Sequence, residues 1–126
     1  MITRLGSGGP WEDVVGYSRV VRAGNLVLTA GCTSTVDGAV TCVGDPYGQV
    51  LQAYQIALGA LERAGATASD VVRTRTYLRD AAHFDEAGRA HKELFGDVKP
   101  ASTMLVVAGF VHPDMLTEVE VEAYLP

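Results

Sequence analysis

The clearest pattern of apolar and polar positions lies near the C-terminal end of the chain. From Thr117 to Tyr124, small apolar residues alternate with Glu118, Glu120 and Glu122. Strict alternation is typical of a strand that buries one face and exposes the other. The stretch from Thr103 to Ala108 is almost continuously apolar, which is the pattern of a strand covered on both faces. We therefore predict two closing strands, the second with a row of carboxylates on one face.

The segment between these strands contains a turn signal. Pro113 fixes its own φ and lacks an N–H, so a turn is expected there and an antiparallel hairpin is the simplest pairing. Such a hairpin would separate Ser102 from Glu118 by about 20 Å along the neighbouring strand. We therefore expect Ser102 and Glu118 to meet only across a subunit interface.

The N-terminal third of the chain predicts short strands separated by glycine turns. An edge strand is expected from Met1 to Leu5, before a Gly/Pro-rich loop for which the sequence favours no regular structure. Two further strands, Tyr17 to Arg22 and Asn25 to Thr33, follow around a tight turn. A third, about Ala39 to Val43, comes after the Asp37-Gly38 turn. The expected arrangement is three consecutive antiparallel strands.

Two helices are predicted in the middle of the chain. Asp45 is a typical N-cap residue before a proline, and Gly65 is a typical stop signal. Between them, apolar residues recur at helical spacing: Val50, Tyr54, Ala57, Leu58 and Leu61. A second helix is expected from about Ala81 to Phe95, ending at Gly96. Its predicted inner face consists of Phe84, Ala87, His91, Leu94 and Phe95.

An alternating strand is predicted between the helices, from Asp70 to Arg79. The order is then strands, helix, strand, helix and two closing strands. If both helices pack on one face of the sheet, the fold class is an α+β sandwich. With 126 residues, we expect residues 1 to 126 to form a single domain.

The composition and the net charge limit which binding partners and which cellular compartment are expected. The net charge is −5 and no cluster of Lys or Arg occurs, so we expect no nucleic acid partner. No apolar run reaches the ~20 residues of a membrane span, so we expect no membrane and a cytoplasmic location. Cys32 and Cys42 flank a predicted turn and are expected to be free thiols. The sequence has no nucleotide-binding glycine motif and no metal-ligand cluster, so no cofactor or metal is expected.

Several of these segments together resemble a known protein family. The run Lys99-Pro100-Ala101 and the run from Leu116 to Glu120 resemble the end of the Rid (YjgF, reactive intermediate deaminase) family. The segment from Gly24 to Gly31 is similar to that family's glycine-asparagine-apolar stretch. The resemblance extends through the long helix and the strand from Val71 to Leu78, and covers about residues 15 to 124.

The resemblance implies a fold and an assembly. The family fold is a chorismate-mutase-like two-layer sandwich, with a mixed sheet of about six strands backed by two helices. A large apolar sheet face left exposed would itself predict association, and the family is implied to form homotrimers with sites in the clefts between subunits. The implied partner is a small-molecule substrate or ligand.

The resemblance also implies residue roles. In Rid deaminases a closing-strand glutamate holds the water that attacks an imine carbon, and Glu118 stands at that position. Tyr17 and Gly31 also match the family site, where a tyrosine and backbone groups contact the substrate. The physical chemistry is consistent, because a carboxylate within hydrogen-bond reach of water can orient it and accept a proton.

Three positions depart from the family pattern. Ser102 stands where the family has an Arg that pairs with the substrate carboxylate, Ala30 replaces the usual serine, and Gly88 replaces a frequent asparagine. A hydroxyl has no charge and cannot form a bidentate ion pair. We therefore expect a substrate that lacks a free carboxylate, or one held by another cation such as Arg75. Thr103 is a further candidate hydrogen-bond donor.

For most of these residues the sequence leaves two interpretations open. Glu118 is either the water-positioning carboxylate or one of several solvated glutamates. Tyr17 is either a ligand contact or an interface residue, and Arg75 either faces the cleft or pairs with carboxylates. His91 fits a packed neutral histidine, with a functional role as the alternative. Cys32 follows Gly31 and is expected to line the pocket; with no base beside it, nucleophilic catalysis is not favoured.

Two functions of different class follow. The first is a hydrolase of the deaminase-like type, acting by water addition to, or proton transfer on, an imine, enamine or enol with Glu118 as acid/base. The alternative is a non-catalytic protein that binds a small molecule or a partner in the intersubunit cleft.

Overall fold

The computed structural model describes residues 1 to 126, and its main feature is a mixed six-stranded sheet in the order β1-β2-β3-β8-β6-β7. The six strands are β1 Ile2–Leu5, β2 Val20–Ala23, β3 Leu26–Thr29, β6 Val71–Leu78, β7 Ala101–Val106 and β8 Thr117–Tyr124. Only β6 and β7 run parallel, and the other neighbours are antiparallel. The predicted α+β class with a mixed sheet of six strands is confirmed.

Three helices accompany the sheet: α1 Pro10–Val15, α2 Pro46–Arg63 and α3 Phe84–Phe95. The predicted start of α2 is confirmed, because the Asp45 carboxylate accepts a hydrogen bond of 3.0 Å from the Gly48 N–H. Its predicted stop is also confirmed, since Gly65 has a left-handed φ of +95°. The second predicted helix begins with a 3₁₀ turn, Ala81–His83, and becomes α-helical at Phe84. The short α1 was not predicted.

The core lies between the sheet and the two long helices. Tyr54 of α2 is fully buried and packs edge-on against Phe95 of α3, with ring centroids 5.2 Å apart. Val119 and Val121 of β8 lie in the same core. The glutamates that alternate with them are half-buried on the opposite face of the sheet. The alternation predicted for this strand is therefore confirmed. No helix of the chain is both long enough and apolar enough to cross a bilayer.

The predicted hairpin between the two closing strands is wrong. β7 and β8 are not neighbours, because β6 lies between them and pairs in parallel with β7 and antiparallel with β8. The reason is the connection through α3, since a strand–helix–strand crossover brings its two strands parallel. The segment after β7 then crosses to the other side of β6. As a result β7 is an edge strand, and Leu105 and Val106 are 51% and 55% exposed rather than covered on both faces.

The third predicted N-terminal strand does not join the main sheet. Ala39–Val40 (β5) pairs only with Thr35–Val36 (β4), in a separate two-stranded hairpin. The chain leaves the sheet after an isolated bridge between Cys32 and Val119. A positive φ of 53° at Cys42 ends the hairpin strand early. Both cysteines are free, with Cys32 buried and Cys42 exposed.

Candidate functional site

One cleft contains several of the residues that the sequence singles out. Its volume is about 1120 Å³, and its wall is formed by the loop before α1, α1 itself, the β4–β5 hairpin, one side of α2 and the start of β8. Six of its lining residues are Trp11, Tyr17, Arg19, Gly31, Cys32 and Glu118. Four of these six, namely Tyr17, Gly31, Cys32 and Glu118, are residues that the sequence singles out. The fold therefore brings four predicted site residues into one cavity.

Glu118 is the carboxylate of this cleft. It lies opposite Tyr77 on β6 and is half-buried. A Cβ atom at Gly31 would lie 2.8 Å from the Glu118 Cδ, so only glycine leaves room for the carboxylate there. Burial raises the pKa of Glu118; Arg19 opposes the rise and Glu120 adds to it. A carboxylate with a raised pKa at a cleft wall is suited to general acid/base chemistry.

Arg19 connects several groups of the cleft wall, and it was not among the residues predicted from the sequence. Its guanidinium donates to the Gly31 carbonyl oxygen at 2.5 Å and to the Tyr17 hydroxyl at 3.4 Å. It also forms an ion pair with Glu12, with 3.6 Å between Nε and Oε2. Both side chains are largely buried, at 16% exposure for Arg19 and 8% for Glu12. No sequence signal identifies this pair, because Glu12 belongs to a segment that predicted only a loop.

The N-terminal loop wraps around the Glu12 carboxylate. The Ser7 N–H donates to Glu12 Oε1 at 2.9 Å, and the Ser7 hydroxyl also donates to this carboxylate. These bonds from Ser7 lower the pKa of Glu12. A Cβ at Gly6 would lie 2.8 Å from Glu12 Oε1, which accounts for one glycine of this loop. The loop and α1 are thus joined to Arg19, and through it to Gly31.

Cys32 is placed as a wall residue and not as a nucleophile. Its Sγ lies 3.5 Å from an Arg19 nitrogen, but burial dominates and raises the pKa of the thiol. The neutral thiol is therefore favoured at neutral pH, and it is a poor nucleophile. Ala30 lies beside it, and its N–H donates to the Arg19 carbonyl oxygen at 2.9 Å. Ala30 positions the turn without lining the cleft.

The remaining predicted site residues lie elsewhere. Ser102 pairs with Thr74 across β6 and β7, and its hydroxyl accepts a hydrogen bond from the Thr74 hydroxyl at 2.8 Å. Thr74 is fully buried, so this contact lies on the helix side of the sheet, opposite Glu118. Thr103 points to the other face, and Gly88 lies in α3 with open space around it. Within one chain the structure does not bring Ser102, Thr103 or Gly88 to Glu118.

Arg75 is engaged by carboxylates. Its Nη1 lies 2.8 Å from an oxygen of Glu122 and 3.6 Å from one of Glu120. Tyr77 donates a hydrogen bond to Glu120 as well. These contacts form a network on the open face of the sheet, outside the cleft. Of the two interpretations of Arg75, pairing with carboxylates is the one observed.

His91, which the sequence singles out, and His112 have different surroundings. His91 lies between Tyr54 and Phe95, and its Nε2 is 2.7 Å from the Thr74 hydroxyl. Burial lowers the pKa of His91. His112 is exposed in the segment before β8, where its Nδ1 accepts a hydrogen bond from the Asp114 N–H at 3.0 Å. No group of three or more His, Cys, Asp and Glu side chains converges as a metal site.

Comparisons with known proteins agree on one family. The chain matches the family model described as Endoribonuclease L-PSP over residues 11–125. It is 43% identical over 123 residues to an uncharacterised protein of Streptomyces coelicolor, covering 98% of this chain and 92% of that protein. It is 32% identical over 109 residues to a RutC family protein of Pyrococcus abyssi, covering 86% of this chain and 85% of the relative.

A solved structure matches the whole fold. The crystal structure of a Mycobacterium tuberculosis member of the YjgF/YER057c/UK114 family superposes with a TM-score of 0.90 at 39% sequence identity. The match covers 99% of this chain and 100% of the other.

Proposed function

The chain belongs to the YjgF/RutC family, whose model is described as Endoribonuclease L-PSP, and we propose that it is a small-molecule enzyme that adds water to, or moves a proton on, an imine, enamine or enol. The observation that carries this proposal is the Glu118 carboxylate. It is half-buried against Gly31 in a cleft of about 1120 Å³, and burial raises its pKa.

The proposed step uses Glu118 as a base. Its carboxylate accepts a proton from a water molecule, and the water oxygen forms a bond to the carbon of a C=N group. The nitrogen gains a proton from solvent and Glu118 releases its own to solvent, so that one water molecule has added across the C=N bond. The carbinolamine then loses its hydroxyl proton as its nitrogen gains one, and splits into a carbonyl compound and an amine. A carboxylate with a raised pKa is a stronger base than an ordinary one and returns its proton readily near neutral pH.

The neighbouring groups support this role. The Arg19 charge opposes the rise in the pKa of Glu118 and so favours the ionised form that acts as a base. The Tyr17 hydroxyl is exposed at the cleft and available to a ligand. The apolar wall, with Trp11 among its residues, favours a ligand that is partly apolar.

Charge in the cleft bears on the substrate. Ser102 replaces the family arginine, and Arg75 is held by Glu122. Arg63 at the end of α2 is the remaining exposed cation in the cleft wall, and it forms no ion pair. We therefore propose that the substrate either lacks a carboxylate or presents it to Arg63.

We further propose that the active form is a homotrimer, as the family resemblance implies. The exposed apolar residues of the edge strand β7 support association, because a strand edge with large exposed side chains favours burial against another chain. The cleft of a second copy would then be reached by Ser102, Thr103 and Gly88. Ser102 and Thr103 would supply hydrogen-bonding groups, and Gly88 would leave room for the ligand. Ser102 lies on the side of the sheet away from Glu118, where it does not reach the Glu118 of its own chain.

RNA cleavage, the activity named in the family description, is not the function that we propose. The chain carries a net charge of −5 and no basic cluster, whereas affinity for a phosphate backbone rests on Lys and Arg contacts.

The test is imine hydrolysis with two substrates. One is 2-aminoacrylate, generated in situ by a serine dehydratase, and the other is the neutral imine N-benzylidenemethylamine. Glu118→Gln should lower the catalysed rate by about 100-fold, because the base is lost. The matched control is Glu122→Gln, on the same face of the same strand. Equal rates for Glu118→Gln and the wild type would overturn the assignment.

Ser102→Arg separates the substrate classes. If only this variant hydrolyses 2-aminoacrylate, the scaffold and Glu118 are competent and the wild-type substrate carries no carboxylate. If the wild type already does so, Arg63→Ala should raise its KM for 2-aminoacrylate and leave its KM for the neutral imine unchanged.

The alternative is a binding protein that retains the cleft without chemistry. The observation that favours it is the uncharged Ser102 in the place of the family arginine. In that case a ligand raises the melting temperature of wild type and Glu118→Gln alike, and no product forms.

A further inference from the structure

Three side chains form a hydrogen-bonded series on the helix-facing side of the sheet, from α3 to the edge strand β7. His91 Nε2 lies 2.7 Å from the Thr74 hydroxyl oxygen, which lies 2.8 Å from the Ser102 hydroxyl oxygen. A direct contact of 3.5 Å between His91 Nε2 and Ser102 closes the triangle. None of these contacts involves the cleft that holds Glu118.

The direction of the hydrogen bonds follows from counting protons. The Thr74 hydroxyl has a single proton, which it donates to Ser102. Thr74 then accepts from His91 in the tautomer whose Nε2 carries the proton. The proton of the Ser102 hydroxyl is left free for an outside acceptor. The series thus begins at an imidazole and ends at an exposed donor.

The two end residues of this hydrogen-bonded series are accessible to solvent, and the middle residue is not. Thr74 is fully buried, whereas Ser102 is exposed at the sheet edge. His91 Nδ1 has no hydrogen-bond partner and is not among the buried unpaired atoms, so it reaches solvent. A proton can therefore enter from water at Nδ1 as another leaves from Nε2.

The surroundings keep the imidazole neutral. His91 packs against the Phe95 ring of its own helix at 4.8 Å and the Tyr54 ring of α2 at 5.5 Å. Tyr54 is itself a phenol at neutral pH, because burial raises its pKa to about 12. Burial is the cause that lowers the pKa of His91, and no charged group opposes it. A neutral imidazole with Nε2–H can pass a proton along the series and take one up at Nδ1.

We propose that His91, Thr74 and Ser102 form a proton relay that delivers a solvent proton to the nitrogen or oxygen acceptor of a neutral substrate bound at Ser102. The inference rests on the proposed function and supplies the acid that it lacks. As water adds to the C=N carbon and its proton passes to Glu118 of another copy, the substrate nitrogen takes the Ser102 proton. Ser102 takes the Thr74 proton, Thr74 takes that of Nε2, and Nδ1 accepts one from a water molecule. The hydroxide so formed is neutralised by the proton that Glu118 releases to solvent, and exchange with solvent returns the imidazole to the Nε2–H tautomer.

The relay also defines the substrate class. An uncharged hydroxyl donor suits an imine nitrogen or a carbonyl oxygen, whereas a carboxylate would need the charge and the fork of a guanidinium. We therefore assign Ser102 as the catalytic donor for neutral imines, with Thr74 and His91 as positioning residues that act through it.

The test is hydrolysis of N-benzylidenemethylamine, followed by the absorbance of benzaldehyde against the uncatalysed rate. Ser102→Ala and Thr74→Val should each lower kcat by about 10- to 100-fold. Thr74→Ser keeps the hydroxyl and should restore most of the rate. Ser69→Ala is the matched control, because Ser69 is an exposed serine paired with another hydroxyl, Thr67, and with no imidazole. It should behave as the wild type.

A proton inventory in mixtures of H₂O and D₂O separates a relay from a structural role. Several protons in flight give a curved plot for the wild type, and His91→Asn and Thr74→Val should make it linear. A linear wild-type plot, or a normal rate in Ser102→Ala, would overturn the relay while the proposed function stands. A wild type that does not accelerate hydrolysis of this imine or of 2-aminoacrylate would overturn the proposed function, and with it the role of Ser102 as an acid.

Discussion

A Cβ atom at position 31 would lie 2.8 Å from both Cδ and Oε2 of Glu118, so the missing side chain of Gly31 is the space that the carboxylate occupies. The contact joins the turn after β3 to the start of β8. Glycine at position 31 is therefore required if the Glu118 carboxylate, the candidate base, is to keep its position.

The first prediction concerns this contact. Gly31→Ala should displace Glu118, lower the rate of imine hydrolysis by at least about 10-fold, and destabilise the fold by about 1–3 kcal/mol through overpacking. Chemical denaturation and steady-state kinetics measure the two effects. Gly59→Ala is the stability control. It lies within α2 with open space at its Cβ position, and should stabilise the protein by about 0.5–1 kcal/mol.

The second prediction is that the ionised Glu118 carboxylate lowers the stability of the folded protein. The pKa of Glu118 is raised by burial, so the folded state binds its proton more tightly than the unfolded chain does. The stabilisation is complete below the ordinary glutamate pKa and is lost as pH rises through the folded value. Glu118→Gln should therefore melt at a higher temperature than the wild type at pH 7, with a difference that shrinks towards pH 4. A lower melting temperature at pH 7 would contradict the assigned burial cost.

The third prediction concerns Arg19. Arg19→Met should destabilise the fold by about 1–3 kcal/mol, because the buried Glu12 carboxylate loses its cation. It should also raise the pKa of Glu118, which Arg19 lowers, and so move the acid limb of the activity profile to higher pH. Arg75→Met is the control: its ion pair with Glu122 is about one third exposed, and its loss should change the stability much less than the loss of Arg19 does.

The fourth prediction concerns acid stability. Burial lowers the pKa of His91, so the unfolded chain binds a proton there more readily than the folded protein does. Stability is present above the ordinary histidine pKa of about 6.5 and is lost as pH falls towards the folded value. His91→Asn should flatten the dependence of melting temperature on pH between 7 and 5. His112→Asn, at an exposed histidine, should follow the wild type, and an identical slope in all three proteins would contradict the prediction.

The fifth prediction concerns association through the edge strand. Leu105→Glu places a charge on an exposed apolar side chain of β7 and should dissociate the proposed trimer, as measured by light scattering after size exclusion. Thr3→Glu on the opposite edge strand β1 is the control and should keep the mass of the wild type. A monomeric wild type would overturn the proposed assembly.

Local chemistry accounts for what was predicted correctly. The Asp45 cap, the Gly65 stop and the alternation of β8 act within a few residues, so each element could be placed before the fold was known. The grouping of Gly31 with Glu118 came from the family resemblance, because no pattern in the chain links a turn after one strand to a glutamate far along it.

The errors arose where pairing over a long distance decided the outcome. The apolar run in β7 was compatible with a hairpin, but the crossover through α3 placed β7 beside β6 and left it at the edge. The ion pair between Arg19 and Glu12 could not be predicted for the same reason, since burial and contact depend on which segments the fold brings together.

The sequence by itself determined the class of fold, the bounds of α2 and the strand β8, because propensity, caps and periodicity are local. The resemblance to a known family, and not the periodicity, singled out Glu118 among the glutamates of β8. Only the tertiary structure decided the sheet order, the Arg19 network and the alignment of His91, Thr74 and Ser102. The physical reason is that hydrogen bonds and ion pairs between residues far apart in the sequence form only when the fold closes the loops between them. Loop closure costs conformational entropy, which no local pattern in the sequence reports.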